Sequence, residues 1–410
     1  MALSAGVSLL TGACRKVEDP PARVGQELPF SGPTKTLVQL LDSMPDVTLY
    51  KAMYLRSDLT HYLDSLNKGS QNPPYTLFVP TDKALTAAGF TAAVIAAAPE
   101  AQLDTLVRYL ALSGNFNFPP GAKAGLTCYP LMYPDPNMQR SESYPPFNVT
   151  LPYYYILAVG FEGNTLLLNG SKVSSQATAV LGVNGSIYRI DTLIQKPVYE
   201  MYEVVSRDTT LSLFLAGMRL NDSIYQDKGM PTYFINYNDT GGLQFSISGY
   251  PGAGSQPFVN VLAPTNDAFR KAGLGSVDAI RNFVYQSVIT GPDYDYSLMQ
   301  TNLDSIFQYH VFYFNQLLAL PGYYTYQAAG TYLYTFDMAN NPALMQRSTM
   351  DYNGTPYTLN NVVFGNQGGQ IVVHRADKPS ARGATIIAPS DVTTLNGILH
   401  HVDNLLLPTP

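Results

Sequence analysis

Tryptophan is absent from this 410-residue chain, cysteine occurs twice, histidine five times, and only 13% of the residues are charged. Two cysteines cannot staple a disulfide scaffold, so stability must come from packed cores. The net charge of −6 leaves no basic face for a nucleic acid backbone, and that class of partner is set aside. General acid–base machinery is thinly supplied, and no G-x-S-x-G elbow, H-E-x-x-H pair or Walker A loop occurs. Beyond the N-terminal leader no apolar run approaches the roughly 18 residues that a membrane-spanning helix needs. No transmembrane anchor, metal or cofactor is expected.

What the chain does have is apolar content of 46% and 30 tyrosines. That suits packed sheets with polar-tipped side chains, and the length favours two cores over one. The first fourteen residues, MALSAGVSLLTGAC, are apolar and too short to span a bilayer. They end in Thr-Gly-Ala-Cys, which resembles the lipobox of bacterial lipoproteins and implies that Cys14 becomes a lipidated N-terminus. No Lys or Arg precedes the run, and Thr11 stands where that pattern has Leu. The alternative is an ordinary apolar N-terminus with a chance cysteine. The polar, Pro-rich segment after Cys14 reads as a tether.

One unit is written twice. YTLFVPTDKAL (75–85) and VNVLAPTNDAF (259–269) each read as a buried strand, a Pro-Thr turn and a helix start. Each is preceded by a helical stretch, from Thr36 and from Thr209, and followed by a second one around Tyr109 and around Tyr309. Each closes on Asn-Gly and an alternating run, NGSIYRIDTLIQKP (184–197) and NGILHHVDNLLLP (396–408), read as a hairpin arm with one buried face. Pro80 and Pro264 end the strand ladder by removing an N–H donor. Thr81 with Asp82, and Thr265 with Asn266, offer side-chain oxygens to the free N–H groups of the helix that follows.

These landmarks resemble a tandem of fasciclin (FAS1) domains. The family's signatures are T-x-F-A-P-T-D-x-A-F, a central Tyr-His pair, and N-G-x-[IL]-H-x-[IV]-D. The second copy carries Tyr309-His310, Asn396-Gly397, His400 and Asp403, with Asn266 where Asp is usual. The first copy has Tyr109-Leu110 in place of Tyr-His, and Tyr188 in place of the signature His. The resemblance implies an α+β chain of two tandem fasciclin-like domains, each a β-sandwich or wedge with helices packed on one side. They span 34–199 and 200–410, after a signal peptide (1–14) and a tether (15–33).

Other motifs have competing readings. Asp293, Asp295 and Asp304 have a passing calcium-loop spacing, but Leu298 stands where Gly is required. His400 and His401 alternate faces on a strand, one packed inward near Tyr309 and one facing solvent, so they do not share a metal. The runs Tyr153–Tyr155 and Tyr323, Tyr324 and Tyr326 could stack on sugars or simply pack. Stretches 117–160 and 225–257 look like surface insertions, and GPDYDYSLMQTN (291–302) like extra loop in the second copy.

Asp-Ser or Asp-Thr followed by an apolar residue or Thr places candidate hydroxyls at Ser43, Ser65, Thr105, Thr192, Thr209, Ser223 and Ser305. About one or two such sites are expected from ordinary residue frequencies. The pattern resembles the O-glycosylation acceptor of exported Bacteroidetes proteins, but Asp-Ser/Thr also starts helices.

The expectation is therefore a non-enzymatic, lipid-anchored cell-envelope protein, at the outer membrane, that mediates adhesion or binds an extracellular protein or polysaccharide. Its contact with membrane would be through the lipid anchor only. The alternative is a glycan-binding accessory lipoprotein of an outer-membrane uptake system. A hydrolase would need His310, His400 and an Asp clustered in an open cleft.

Overall fold

The computed structural model describes residues 32–59, 74–117, 126–128, 130–131, 140–144, 147–151, 155–175, 178–227, 255–285, 301–307, 309–317, 333–342, 347–350, 356–359 and 362–407. Helices and sheets are mixed along the chain, as an α+β sequence requires. The strands are β1 (Tyr75–Pro80), β2 (Ala111–Ser113), β3 (Leu126–Cys128), β4 (Arg140–Tyr144), β5 (Phe147–Leu151), β6 (Leu157–Glu162), β7 (Thr165–Leu168), β8 (Ser171–Ser174), β9 (Val180–Gly182) and β10 (Gly185–Ile190). The later strands are β11 (Ser255–Pro264), β12 (Val311–Leu317), β13 (Arg347–Met350), β14 (Pro356–Leu359), β15 (Val362–Gln367), β16 (Gln370–Arg375), β17 (Ala384–Thr394) and β18 (Gly397–Val402).

The repeat seen in the sequence is a repeat of topology. In the first copy the sheet order is β2-β1-β10-β9; in the second it begins β12-β11-β18-β17 and continues through β16 and β15. The Pro-Thr strand and the Asn-Gly strand pair in parallel both times, with Phe78 opposite Tyr188 and Leu262 opposite His400. In the first copy a second sheet, β3-β6-β7-β8, carries the hairpin that β15 and β16 supply in the second. There, a single bulged strand, β17, does the work of β8 and β9, with its irregularity between Ile387 and Val392.

Three expectations need correction. The Asn-Gly strands are not arms with one buried face: β18 is buried at every position and β10 at all but Arg189. Each runs between a parallel and an antiparallel neighbour, and elements cover both sides of the sheet. The stretch around Tyr309 is not a long helix. Of its described residues only Asp304–Phe307 is helical, and β12 begins at Val311 because the β-branched and aromatic run there pairs with β11. The last part of 117–160 is core rather than surface, since Tyr155, Ile156, Leu157, Ala158, Val159 and Gly160 are all buried.

Three apolar clusters hold the structure. One fills the first copy, around Leu77, Phe78, Tyr109, Ile187 and Tyr188. A second joins the helices Met201–Arg207 and Ser212–Asp227 to Val259, Val261, Ala263 and Leu399 on one face of the second sheet. The third lies on the other face, around Leu262, Ile398 and Val402, and includes Ile156, Ala158 and Leu167 from the first copy. The two copies therefore share buried apolar surface.

Candidate functional site

The signature residues sit at matching places in the two copies. Thr81 caps the helix Asp82–Ala87 through the Ala84 N–H at 3.3 Å, and Thr265 caps Asn266–Lys271 through Ala268 at 3.4 Å. Asp82 and Asn266 do something other than expected. They cap not the helix they begin but the one before the strand: Asp82 Oδ1 accepts from Leu49 N at 2.8 Å, and Asn266 Oδ1 from Leu213 N at 2.9 Å. The Asp82 carboxylate also accepts the Thr48 hydroxyl at 2.7 Å, and the Asn266 amide donates to the Thr209 carbonyl at 2.9 Å. The residue after Thr thus ties the post-strand turn to the preceding helix.

This corrects the alignment of the helices. Asn184 Oδ1 accepts from Leu37 N at 2.8 Å, and Asn396 Oδ1 from Met201 N at 2.7 Å. The helix Leu37–Asp42 therefore matches Met201–Arg207, not the stretch from Thr209, which matches Thr48–Arg56. The glycine after each Asn has a steric reason. A Cβ on Gly185 would overlap the Tyr75 carbonyl oxygen, and one on Gly397 the Val259 carbonyl oxygen. Asp403 Oδ1 accepts from Thr385 N at 2.7 Å, closing the end of β18.

His310, His400 and His401 are all committed to bonds inside the fold. His310 is fully buried; its Nδ1–H donates to the Leu262 carbonyl at 2.7 Å and its Nε2 accepts from Leu406 N at 2.9 Å. That arrangement uses one neutral tautomer completely and joins β11 to the C-terminal segment. Burial lowers its pKa to about 4, against a raising hydrogen bond from Leu262. In the first copy Leu110 takes its place, and only the shared backbone bond remains: Leu110 O accepts from Phe78 N at 2.9 Å, as His310 O does from Leu262 N at 2.8 Å. Tyr309 stacks under the Arg375 guanidinium at 4.1 Å.

His400 and His401 do alternate faces, but neither faces solvent. His400 lies against the segment that opens the helix Thr335–Asn340, on the face of β18 whose apolar cluster Tyr309 borders: Nε2–H donates to Leu333 O, and Nδ1 accepts from Asp391 N at 3.2 Å. His401 meets Asp208 Oδ2 at 2.7 Å and the Pro389 carbonyl at 2.9 Å. The Asp208–His401 pair is the counterpart of an Asp46–Arg189 ion pair in the first copy. Burial pushes the Asp208 carboxyl up, but hydrogen bonds from Thr210 and His401 outweigh it and hold it below the usual carboxylate range. Sequence reasoning missed both pairs, which join positions far apart in the chain with no local signature.

The hydrolase arrangement is not assembled by these groups, because His310 and His400 are buried and both ring nitrogens of each are used. Among the described residues, no group of three or more His, Cys, Asp or Glu could hold a metal ion. Asp304 caps its own helix, accepting from Thr301 N and from the Asn221 amide at 2.7 Å each, while Asp293 and Asp295 lie outside the described residues. Tyr155 is buried edge-on to Tyr109; Tyr153, Tyr154, Tyr323, Tyr324 and Tyr326 lie outside the described residues.

Of the candidate glycosylation positions, Ser43, Thr192, Thr209 and Ser223 are exposed, while Thr105 and Ser305 are half-buried within helices. The hydroxyls of Thr105 and Ser305 donate to the carbonyls of Ala101 and Asn302. Ser65 and Cys14 lie outside the described residues. Among the described residues no helix is long and apolar enough to cross a membrane.

No protein-family model matches the chain, and no curated protein matches it. Among solved structures it is similar to a FAS1 domain pair from the insect cell adhesion molecule fasciclin I, with 12% identity and a TM-score of 0.29. The comparison covers 88% of this chain and 96% of that one.

Proposed function

We propose that the protein is a non-enzymatic, lipid-anchored cell-envelope protein whose two fasciclin-like domains mediate adhesion or extracellular ligand binding. The observation that carries this reading is the fate of the signature residues. In both copies the Thr, Asp or Asn, and Asn-Gly positions are spent on helix caps and on the approach of two parallel strands. Side chains consumed in this way serve a scaffold, and recognition then falls to the loops it carries. The resemblance of the same residues to the fasciclin signatures supports the adhesion class, and the Thr-Gly-Ala-Cys block supports the anchor at Cys14; the outer membrane is the location proposed for it. A single acyl chain holds a protein at a membrane only marginally, so the anchor would carry several.

Two measurements test the reading. Mass spectrometry of the native protein should find Cys14 as an acylated N-terminus; an unmodified Cys14 inside an intact leader removes the anchor. The full chain, immobilised, should retain extracellular matrix or envelope protein free of glycan. Binding confined to a glycan array, and lost on Tyr154→Ala or Tyr324→Ala, would move the function to glycan capture for an uptake system. No binding on either array would remove the adhesion reading.

A further inference from the structure

One short segment of the second copy, Leu333–Phe336, meets the first copy, with Asp391 beside it. Tyr334 and Phe336 belong to the apolar cluster that includes Ile156, Ala158 and Leu167 of the first copy. They reach it where the first copy has no side chain. A Cβ on Gly160 would lie 2.5 Å from the Phe336 ring, and one on Gly170 would lie 2.8 Å from the Tyr334 ring and 2.7 Å from the Asp391 carboxyl carbon. On its other side the segment packs in the same cluster with Leu262, Ile398 and Val402 and is tied down by polar bonds. Leu333 N donates to Asn260 Oδ1 at 3.3 Å and Leu333 O accepts from His400; Thr335 N and Oγ1 donate to the Asp391 carboxylate at 2.8 and 2.5 Å.

We propose that His400 and Asp391 make Leu333–Phe336 an acid-released latch between the two copies. The neutral ring fits its site because Nε2–H donates to Leu333 O while Nδ1 accepts the Asp391 N–H. A proton taken from solvent onto Nδ1 leaves two donors facing each other, and such a buried unmade bond is costly. The nearest carboxylate to receive it is Asp391 itself, whose Oδ1 lies 3.8 Å from Nδ1. Turning to the ring takes that carboxylate off Thr335, the first residue of the helix. Asp391 has little freedom to turn, since its backbone is left-handed at φ 55° and Gly170 of the first copy sits against its side chain. The strain falls on the contact with the first copy.

The charges around the ring set when this happens. Burial holds His400 below its ordinary range, opposed by Asp391 and the Leu333 carbonyl and helped by His401 beside it on β18. Tyr334 lies on the latch itself and Asp337 in the helix just after it, Tyr109 faces Tyr334 from the first copy, and Asp208 is held by His401. Leu262, opposite His400 on β11, brings no charge. The first copy has Tyr188 at this position, opposite Phe78.

The test is small-angle scattering of the full chain from pH 7.5 downward, with circular dichroism and hydrogen exchange corrected for its intrinsic pH dependence. The expected result is a larger radius of gyration while the helical signal is unchanged. Amides of Thr335 to Asn341 should lose protection before those of His310 and Leu406. His400→Gln, which does not titrate and keeps an N–H for Leu333, should stay compact through the same range. Gly170→Val should be open already at pH 7.5. Expansion only together with loss of the helical signal overturns the latch, as does an H400Q chain that opens at the wild-type pH. Should H400Q fail to fold, the order of exchange in the wild-type chain decides alone.

Discussion

Asn396 accepts the backbone N–H of Met201 at 2.7 Å across 195 positions of sequence, as Asn184 accepts that of Leu37 in the first copy. The bond fixes where each copy begins relative to the strand that ends it. Asn396 and the Met201 side chain are both buried, so no water replaces a lost partner. Replacing Asn396 by Ala should cost about 1–3 kcal/mol, the usual penalty for a buried donor left unsatisfied. Chemical denaturation checks this; a loss under about 0.5 kcal/mol would mean that the cap does not hold the helix.

Gly397→Ala and Gly185→Ala should each destabilise by at least about 1–3 kcal/mol, the range for forcing atoms into a packed core. The obstacle is a strand carbonyl, not the end of a flexible side chain, and it cannot step aside without breaking the parallel ladder. Gly163→Ala is the control: nothing lies near its would-be Cβ, and the cost should be limited to backbone strain at φ 62°. Equal losses at Gly163 and Gly397 would contradict the close-approach explanation.

Stability should fall on acidification through His310. Its pKa drops from 6.5 to about 4 on folding, so the unfolded chain binds the proton more readily. The contribution is complete above pH 6.5 and is lost as pH falls toward about 4, by roughly 3 kcal/mol at most. His310→Leu copies the first copy's Leu110 and should flatten that slope, while costing about 1–3 kcal/mol at neutral pH for the orphaned Leu406 N–H. A His310→Leu chain with the wild-type pH slope would assign the titration elsewhere.

The division at residues 199 and 200 is a prediction about folding. Fragments 30–199 and 200–410 should each unfold cooperatively, because each contains its own parallel strand pair and its own helix caps. The first should also bind a hydrophobic dye, since separation uncovers Ile156, Ala158 and Leu167. If neither fragment shows a cooperative transition, the two form one folding unit.

The sequence by itself determined the repeat. Pro80-Thr81 and Pro264-Thr265 punctuate a strand and start a helix by rules that act within three or four residues, so their effect is visible in the string. The same holds for the Asn-Gly turns. Tertiary structure decided what those residues are bonded to. Asp82 and Asn266 could cap the helix they begin or the helix before the strand, and only packing brings the second N-terminus within reach. His400 and His401 alternate faces, as a strand demands, but both faces of β18 are covered by elements far away in sequence, so neither side chain reaches water. Local chemistry wrote the ends of each element; which buried donor meets which acceptor was set by the three-dimensional path of the chain.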